Sequence, residues 1–165
     1  MAEVMEPQMQ SAGYAAPLTT PTGLDQVNLH VRDADAALKF FTEVLGPTVD
    51  STDRDDDGRA TFVVLDAGPH NLFLMRATEY TPPPQRRSRG LNHVPVLIEP
   101  TEPAVLLRTL RARGIALRSD LVWRGDASRR TCSIYIEDPD GHGIELKQAL
   151  TPDQAVERGD PSSDS

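Results

Sequence analysis

Leu24 to Asp33 reads L-D-Q-V-N-L-H-V-R-D, and Leu91 to Glu99 reads L-N-H-V-P-V-L-I-E. These are two openings of one pattern. In the first, Val27, Leu29 and Val31 alternate with Gln26, Asn28 and His30, which is the period of a strand with one buried face. Asp33 follows as a helix cap, and Ala37, Phe40, Phe41, Val44 and Leu45 recur at helical spacing until Gly46. T-V-D-S, A-T-F-V-V-L and N-L-F-L-M-R then read as strands, the first two joined by the turn D-R-D-D-D-G. The second opening repeats the order. Thr101 is its expected cap, Leu106, Leu107 and Leu110 carry the apolar face, and Gly114 stops the helix. I-A-L-R-S-D-L-V-W, T-C-S-I-Y-I and G-I-E-L-K supply the strands, with the tight turn D-P-D-G at Asp138 to Gly141 between the last two. Pro95 falls inside a strand, a place where proline is confined to edges. The expectation is an α+β protein of two βαβββ modules.

Around this repeat the chain divides into an N-terminal arm at 1–22, a first module at 23–76, a linker at 77–90, a second module at 91–149 and an acidic tail at 150–165. The arm and the tail lack periodicity and are expected to be disordered. At 165 residues and 38% hydrophobic content the chain suits one soluble domain or two small modules sharing a core. A net charge of -8 argues against nucleic acid or an anionic membrane as a partner. Cys132 is the single cysteine, so no internal disulfide can form, and a cytoplasmic location is expected. The opening M-A-E-V-M-E-P has no apolar run of the kind a signal peptide needs.

The repeat places polar groups at equivalent positions. His93 falls where Gln26 does, and Glu145 where Phe73 does; the separations within each pair of strands are 47 and 52 residues. Strand alternation puts Gln26, Asn28 and His30 on one face, Ser133 with Tyr135, and Glu145 with Lys147. An imidazole, a carboxylate and an amide oxygen suit a first-row divalent ion with open positions, able to polarise a carbonyl or hold an enediolate or catecholate. Polar residues paired along a groove explain the same pattern without a metal.

The segment H-V-R-D-A-D-A-A-L-K-F-F-T-E-V-L-G, the ending E-D-P-D-G-H-G-I-E-L and the double βαβββ order resemble the vicinal oxygen chelate superfamily over about residues 23–149. That superfamily includes glyoxalase I, extradiol dioxygenases, methylmalonyl-CoA epimerase, and fosfomycin and bleomycin resistance proteins. The resemblance implies paired modules forming a cupped, mostly antiparallel eight-stranded sheet around a metal or ligand cavity. It implies ligands from the first and last strands of each module, here Gln26, Phe73, His93 and Glu145. Phe73 departs from glyoxalase I, which has glutamate there, while one type of glyoxalase I has glutamine at the place of Gln26. The metal set is therefore Gln26, His93 and Glu145, holding one divalent ion (Fe2+, Ni2+, Zn2+ or Mn2+).

I-Y-I-E-D-P-D-G-H-G-I-E also resembles the second half of the extradiol dioxygenase signature, which gives Tyr135 an assisting role, though the histidine expected before it is absent. Glu145, Tyr135 and His30 are the catalytic candidates. Asn28, Phe73, Trp123, Ser133 and Tyr135 are expected to line the substrate pocket. Tyr135 also reads as a cavity-wall aromatic, Trp123 equally as a stacking surface for a planar ligand and as a core residue, and His30 as a hydrogen-bonded cavity residue. The functional expectation is a metal-dependent lyase, isomerase or dioxygenase acting on a small molecule with adjacent oxygens. The alternative is a metal-free protein binding a drug or natural product, and in either case a homodimer. Asp53, Asp55, Asp57 and Gly58 match the start of a calcium loop, but Val64 stands where the bidentate glutamate belongs, so a solvated turn is expected. His70 and His142 are expected to face water, and Cys132 to be a core thiol.

Overall fold

In a computed structural model the residues described are 24–80, 93–124 and 131–149. The arm at 1–22, residues 81–90 of the linker and the tail at 150–165 lie outside them. The first module runs β1 (Gln26–Val31), α1 (Ala34–Val44), β2 (Thr48–Arg54), β3 (Ala60–Asp66) and β4 (Asn71–Arg76). The second runs β5 (Val94–Leu97), α2 (Pro103–Ala112), β6 (Val122–Arg124), β7 (Thr131–Glu137) and β8 (Gly143–Ala149). Each module is the βαβββ unit read from the sequence. The eight strands divide into two four-stranded sheets, ordered β1-β4-β3-β2 and β5-β8-β7-β6. In both, the first strand pairs parallel with the last and the remaining pairings are antiparallel.

Local chemistry explains the helix ends. The Asp33 carboxylate accepts from the backbone N–H groups of Asp35 and Ala36 at 3.0 and 3.1 Å, filling donors that α1 leaves open. Gly46, at φ 71°, closes the other end with its N–H on the Phe41 carbonyl. In the second module the cap lies one residue later than expected. Thr101 is clamped to β8, its N–H donating to the Gln148 amide oxygen at 2.9 Å and its carbonyl accepting from the same amide at 2.8 Å. Glu102 caps α2 instead, and Pro103, which has no N–H to satisfy, takes the first helical position.

Two strand expectations also resolve. Pro95 sits on β5, an edge strand, where the missing donor costs nothing. The run from Ile115 to Trp123 is not one strand: Leu117 bridges to Ile136 and Val122 pairs with Ser133. The four residues 118–121 thus oppose only Ile134 and Tyr135, and the surplus must loop out. Arg118 anchors this stretch, donating to the Glu137 carboxylate at 2.8 Å and the Gly141 carbonyl at 2.6 Å.

One apolar cluster takes in Leu29, Val31, Phe41, Leu65 and Leu74 from the first module and Leu107, Leu110, Ile134, Ile136, Ile144 and Leu146 from the second. Each such side chain stabilises the fold by about 1.5–3 kcal/mol on leaving water. Cys132 is buried, as expected of a core thiol. The aspartates of D-R-D-D-D-G form no cage: Asp55 binds its own turn through the N–H groups of Asp57 and Arg59, and pairs with Arg76 at 2.7 Å.

A polar clasp joins the modules at the D-P-D-G turn. The Arg32 N–H donates to the Asp140 carboxylate at 2.9 Å, and the Arg32 guanidinium lies 5.3 Å from the centre of the Tyr80 ring. The Tyr80 hydroxyl donates to the Asp140 carbonyl at 3.0 Å. Within the turn Asp138 accepts from the N–H groups of Asp140 and His142 and binds the His142 ring at 2.8 Å. His142 was expected in water; its side chain is in fact only 15% exposed, because this pairing draws it inward.

Burial, and next the Asp140 and Asp138 charges, push the Tyr80 phenol up to about 12, with Arg32 opposing. A phenol that ionises near 10 when unfolded then contributes stability that is complete below pH 10 and lost as pH rises towards 12. Thermal unfolding followed from about pH 9 to about pH 12 is expected to show this decline, and Tyr80→Phe to flatten it.

Candidate functional site

Strand pairing decides which side chains meet. In β8, Glu145 lies between Pro95 of β5 and Tyr135 of β7, and Lys147 pairs with Ser133. Paired residues share a face, and so do residues two apart. His93, Glu145, Lys147, Ser133 and Tyr135 therefore stand on one face of the second sheet, and Ile134, Ile136, Ile144 and Leu146 on the opposite, core-facing side.

On that face a hydrogen-bonded group forms around Glu145. The Ser133 hydroxyl donates to Glu145 Oε1 at 2.7 Å, and His93 Nε2 lies 2.9 Å from Oε2. The Tyr135 hydroxyl lies on the same side and favours the charged carboxylate, and its ring meets the His93 ring edge to face at 5.2 Å. Ser133 and Glu145 are buried, at 1% and 5% exposure. Burial alone would push the Glu145 carboxyl up. The hydrogen bonds from Ser133 and Tyr135, with the neighbouring charges of His93 and Lys147, more than offset it and hold the group below its ordinary value. Glu145 is an anion kept in place by donors.

His93 presents the complementary feature. Its Nε2 is the ring atom that faces the carboxylate, and its Nδ1 is buried with no hydrogen-bond partner among the described residues. An imidazole and an ionised carboxylate already within 2.9 Å of each other fit part of the shell of a first-row divalent ion, as the donor chemistry requires. Among the described residues no group of three or more His, Cys, Asp or Glu converges. The third expected donor, Gln26, would offer an amide oxygen.

Gln26, Asn28 and His30 share the exposed face of β1, in the first sheet rather than the second. The register there makes the repeat explicit. Asn28 pairs with Phe73 as Pro95 pairs with Glu145, so Gln26 is the counterpart of His93. Val64 pairs with Phe73 and Phe62 with Met75, which makes them the counterparts of Tyr135 and Ser133. Phe62 and Phe73 meet edge to face at 5.1 Å. The same positions are thus polar in one module and apolar in the other.

Trp123 pairs with Cys132, which pairs with Gln148, so it stands on the face of Cys132 and Gln148 rather than that of Glu145. A three-residue strand gave the sequence too short an alternation to fix that side. Ser133 stands on the site face, yet it is engaged with Glu145 rather than open for a substrate. A hydroxyl two residues from Tyr135 signals the face but not the partner.

The Glu145 carboxyl, held low in the folded state, contributes stability that is present above its unfolded pKa and is lost as pH falls through the folded one. Thermal midpoints measured from neutral to acid pH are expected to fall below the ordinary glutamate range, and Glu145→Gln to remove that part of the slope.

A sequence profile described as the Glyoxalase/Bleomycin resistance protein/Dioxygenase superfamily matches residues 23–146. No curated protein sequence matches the chain. Among solved structures, a glyoxalase/dioxygenase from Nostoc punctiforme is similar with a TM-score of 0.64 at 20% identity, covering 84% of this chain and 100% of that one. A glyoxalase/bleomycin resistance protein/dioxygenase from Alicyclobacillus acidocaldarius gives 0.55 at 18% identity, covering 82% and 97%. A lactoylglutathione lyase from Agrobacterium tumefaciens gives 0.53 at 22% identity, covering 79% and 96%. At these identities the structures speak for the fold, and the profile, spanning most of the chain, speaks for the family: this chain belongs to the Glyoxalase/Bleomycin resistance protein/Dioxygenase superfamily.

Proposed function

We propose that the chain is a small metalloenzyme of this superfamily, acting on a small molecule that chelates a divalent ion through adjacent oxygens. The observation that carries the reading is the contact of His93 Nε2 with Glu145 Oε2 at 2.9 Å, on a carboxylate kept anionic despite burial. His93 and Glu145, with Gln26, would hold the ion. When bound, it supplies positive charge that stabilises an enediolate or a diol's oxygens. The chain's own groups do the rest. Tyr135 packs on the His93 ring and restricts its orientation, and Lys147 adds positive charge on the same face. Asn28 and His30 are offered to the substrate on the exposed face of β1. The reading includes a homodimer and a cytoplasmic location; no helix among the described residues is long and apolar enough to cross a membrane.

A second reading, a metal-free binder of an aromatic ligand, is favoured by one feature. Phe62, Phe73 and Met75 share a face of the first sheet, where Met75 is 36% exposed. One experiment separates the two. Protein purified without chelator is assayed for metal beside a His93→Ala, Glu145→Ala double variant. Near-stoichiometric iron, nickel, zinc or manganese in the wild type, lost in the variant, is the expected outcome. Absence of metal, together with no thermal stabilisation by any of these ions, overturns the metalloenzyme and leaves the binder.

A further inference from the structure

We propose that Ser133 is a positioning residue that fixes Glu145 as an immobile anchor, holding Oε1 so that Oε2 faces His93 Nε2 and the two could ligate an ion together. The proposal rests on the metal-binding reading above and assigns Ser133 a role apart from the substrate. Three observations carry it. The hydroxyl is 1% exposed, so no bulk water competes for it, and its bond to Oε1 at 2.7 Å is a buried one between neighbouring strands. The bond is diagonal: Ser133 pairs in register with Lys147, whereas Glu145 pairs with Tyr135. A serine whose only duty was to fill the strand face would have no need to reach the adjacent pair.

The first module provides an internal control. Phe62 occupies the Ser133 position and Phe73 the Glu145 position, and those two rings pack on each other. Where the carboxylate is absent, the hydroxyl is absent too. The restraint therefore accompanies the group it restrains. With Oε1 held by Ser133, rotation of Glu145 away from His93 must break a buried bond. Such a group suits a permanent ligand and is badly placed to leave an ion and ferry a proton.

The test is titration of the full-length chain with Zn2+ and with Ni2+, read as the dissociation constant, in wild type and in three variants. Removing a group that orients a metal ligand weakens binding by about 10–100-fold. Ser133→Ala is expected to show that loss. Ser133→Thr and Ser133→Val are isosteric with each other and differ by the hydroxyl, so any crowding in the buried site is common to both. Threonine is expected to bind at least about tenfold more tightly than valine. Equal affinities for the threonine and valine variants overturn the positioning role even if the alanine variant does not fold. A wild type that binds neither ion overturns the metal reading itself, a failure distinct from the first because it does not depend on position 133.

Discussion

Parallel pairing of a module's first strand with its last is the constraint on which the arrangement depends. β1 lies beside β4 and β5 beside β8, although a helix and two further strands separate them in sequence. A parallel pair cannot be closed by a hairpin and requires a crossover. Here the crossover is the helix together with the two strands that complete the sheet. Once that pairing forms, alternation along each strand assigns every residue to the core or to the open face. A slip of one residue in β8 would turn Glu145 into the core and Leu146 out of it. The apolar residues at 144 and 146 make that slip expensive, so the core holds the site in register.

The same constraint explains how an ionised carboxylate survives at 5% exposure. Transfer of a bare carboxylate from water to a protein interior is costly enough that the group normally takes up a proton instead. Glu145 avoids this because its strand neighbours are donors rather than hydrocarbons. Ser133 and Tyr135 come from β7 and His93 from the residue before β5, and the pairings of β8 with β7 and β5 deliver them together. Asp138 follows the same logic at the turn, where two backbone N–H groups and the His142 ring surround a fully buried carboxylate.

Much of this was legible before any coordinates. The alternation in L-D-Q-V-N-L-H-V and the helical spacing from Ala37 to Leu45 identified β1 and α1, and comparison of the two halves matched His93 with Gln26 and Glu145 with Phe73. Local rules sufficed because those segments are long enough for a period to declare itself. Part of what was not legible depended on partners distant in sequence. Thr101 lost its capping place to an amide on β8, 47 residues away. His142 was drawn from water by the buried Asp138 four residues before it, a pairing that strand and turn signals do not encode. Trp123 sits on a strand too short to reveal its face. The engagement of Ser133 with Glu145 is a diagonal contact, which a pattern of alternation does not encode.

No pairing of strands crosses from one sheet to the other among the described residues. Each ladder is closed within its own module, and the halves communicate through side-chain packing and the clasp at Asp140. A duplicated architecture of this kind lets its two faces diverge chemically. The Phe62–Phe73 face can exchange aromatic for polar groups without altering the strand pairing around Glu145, so the shared topology of the two halves constrains their geometry while leaving their chemistry free to specialise.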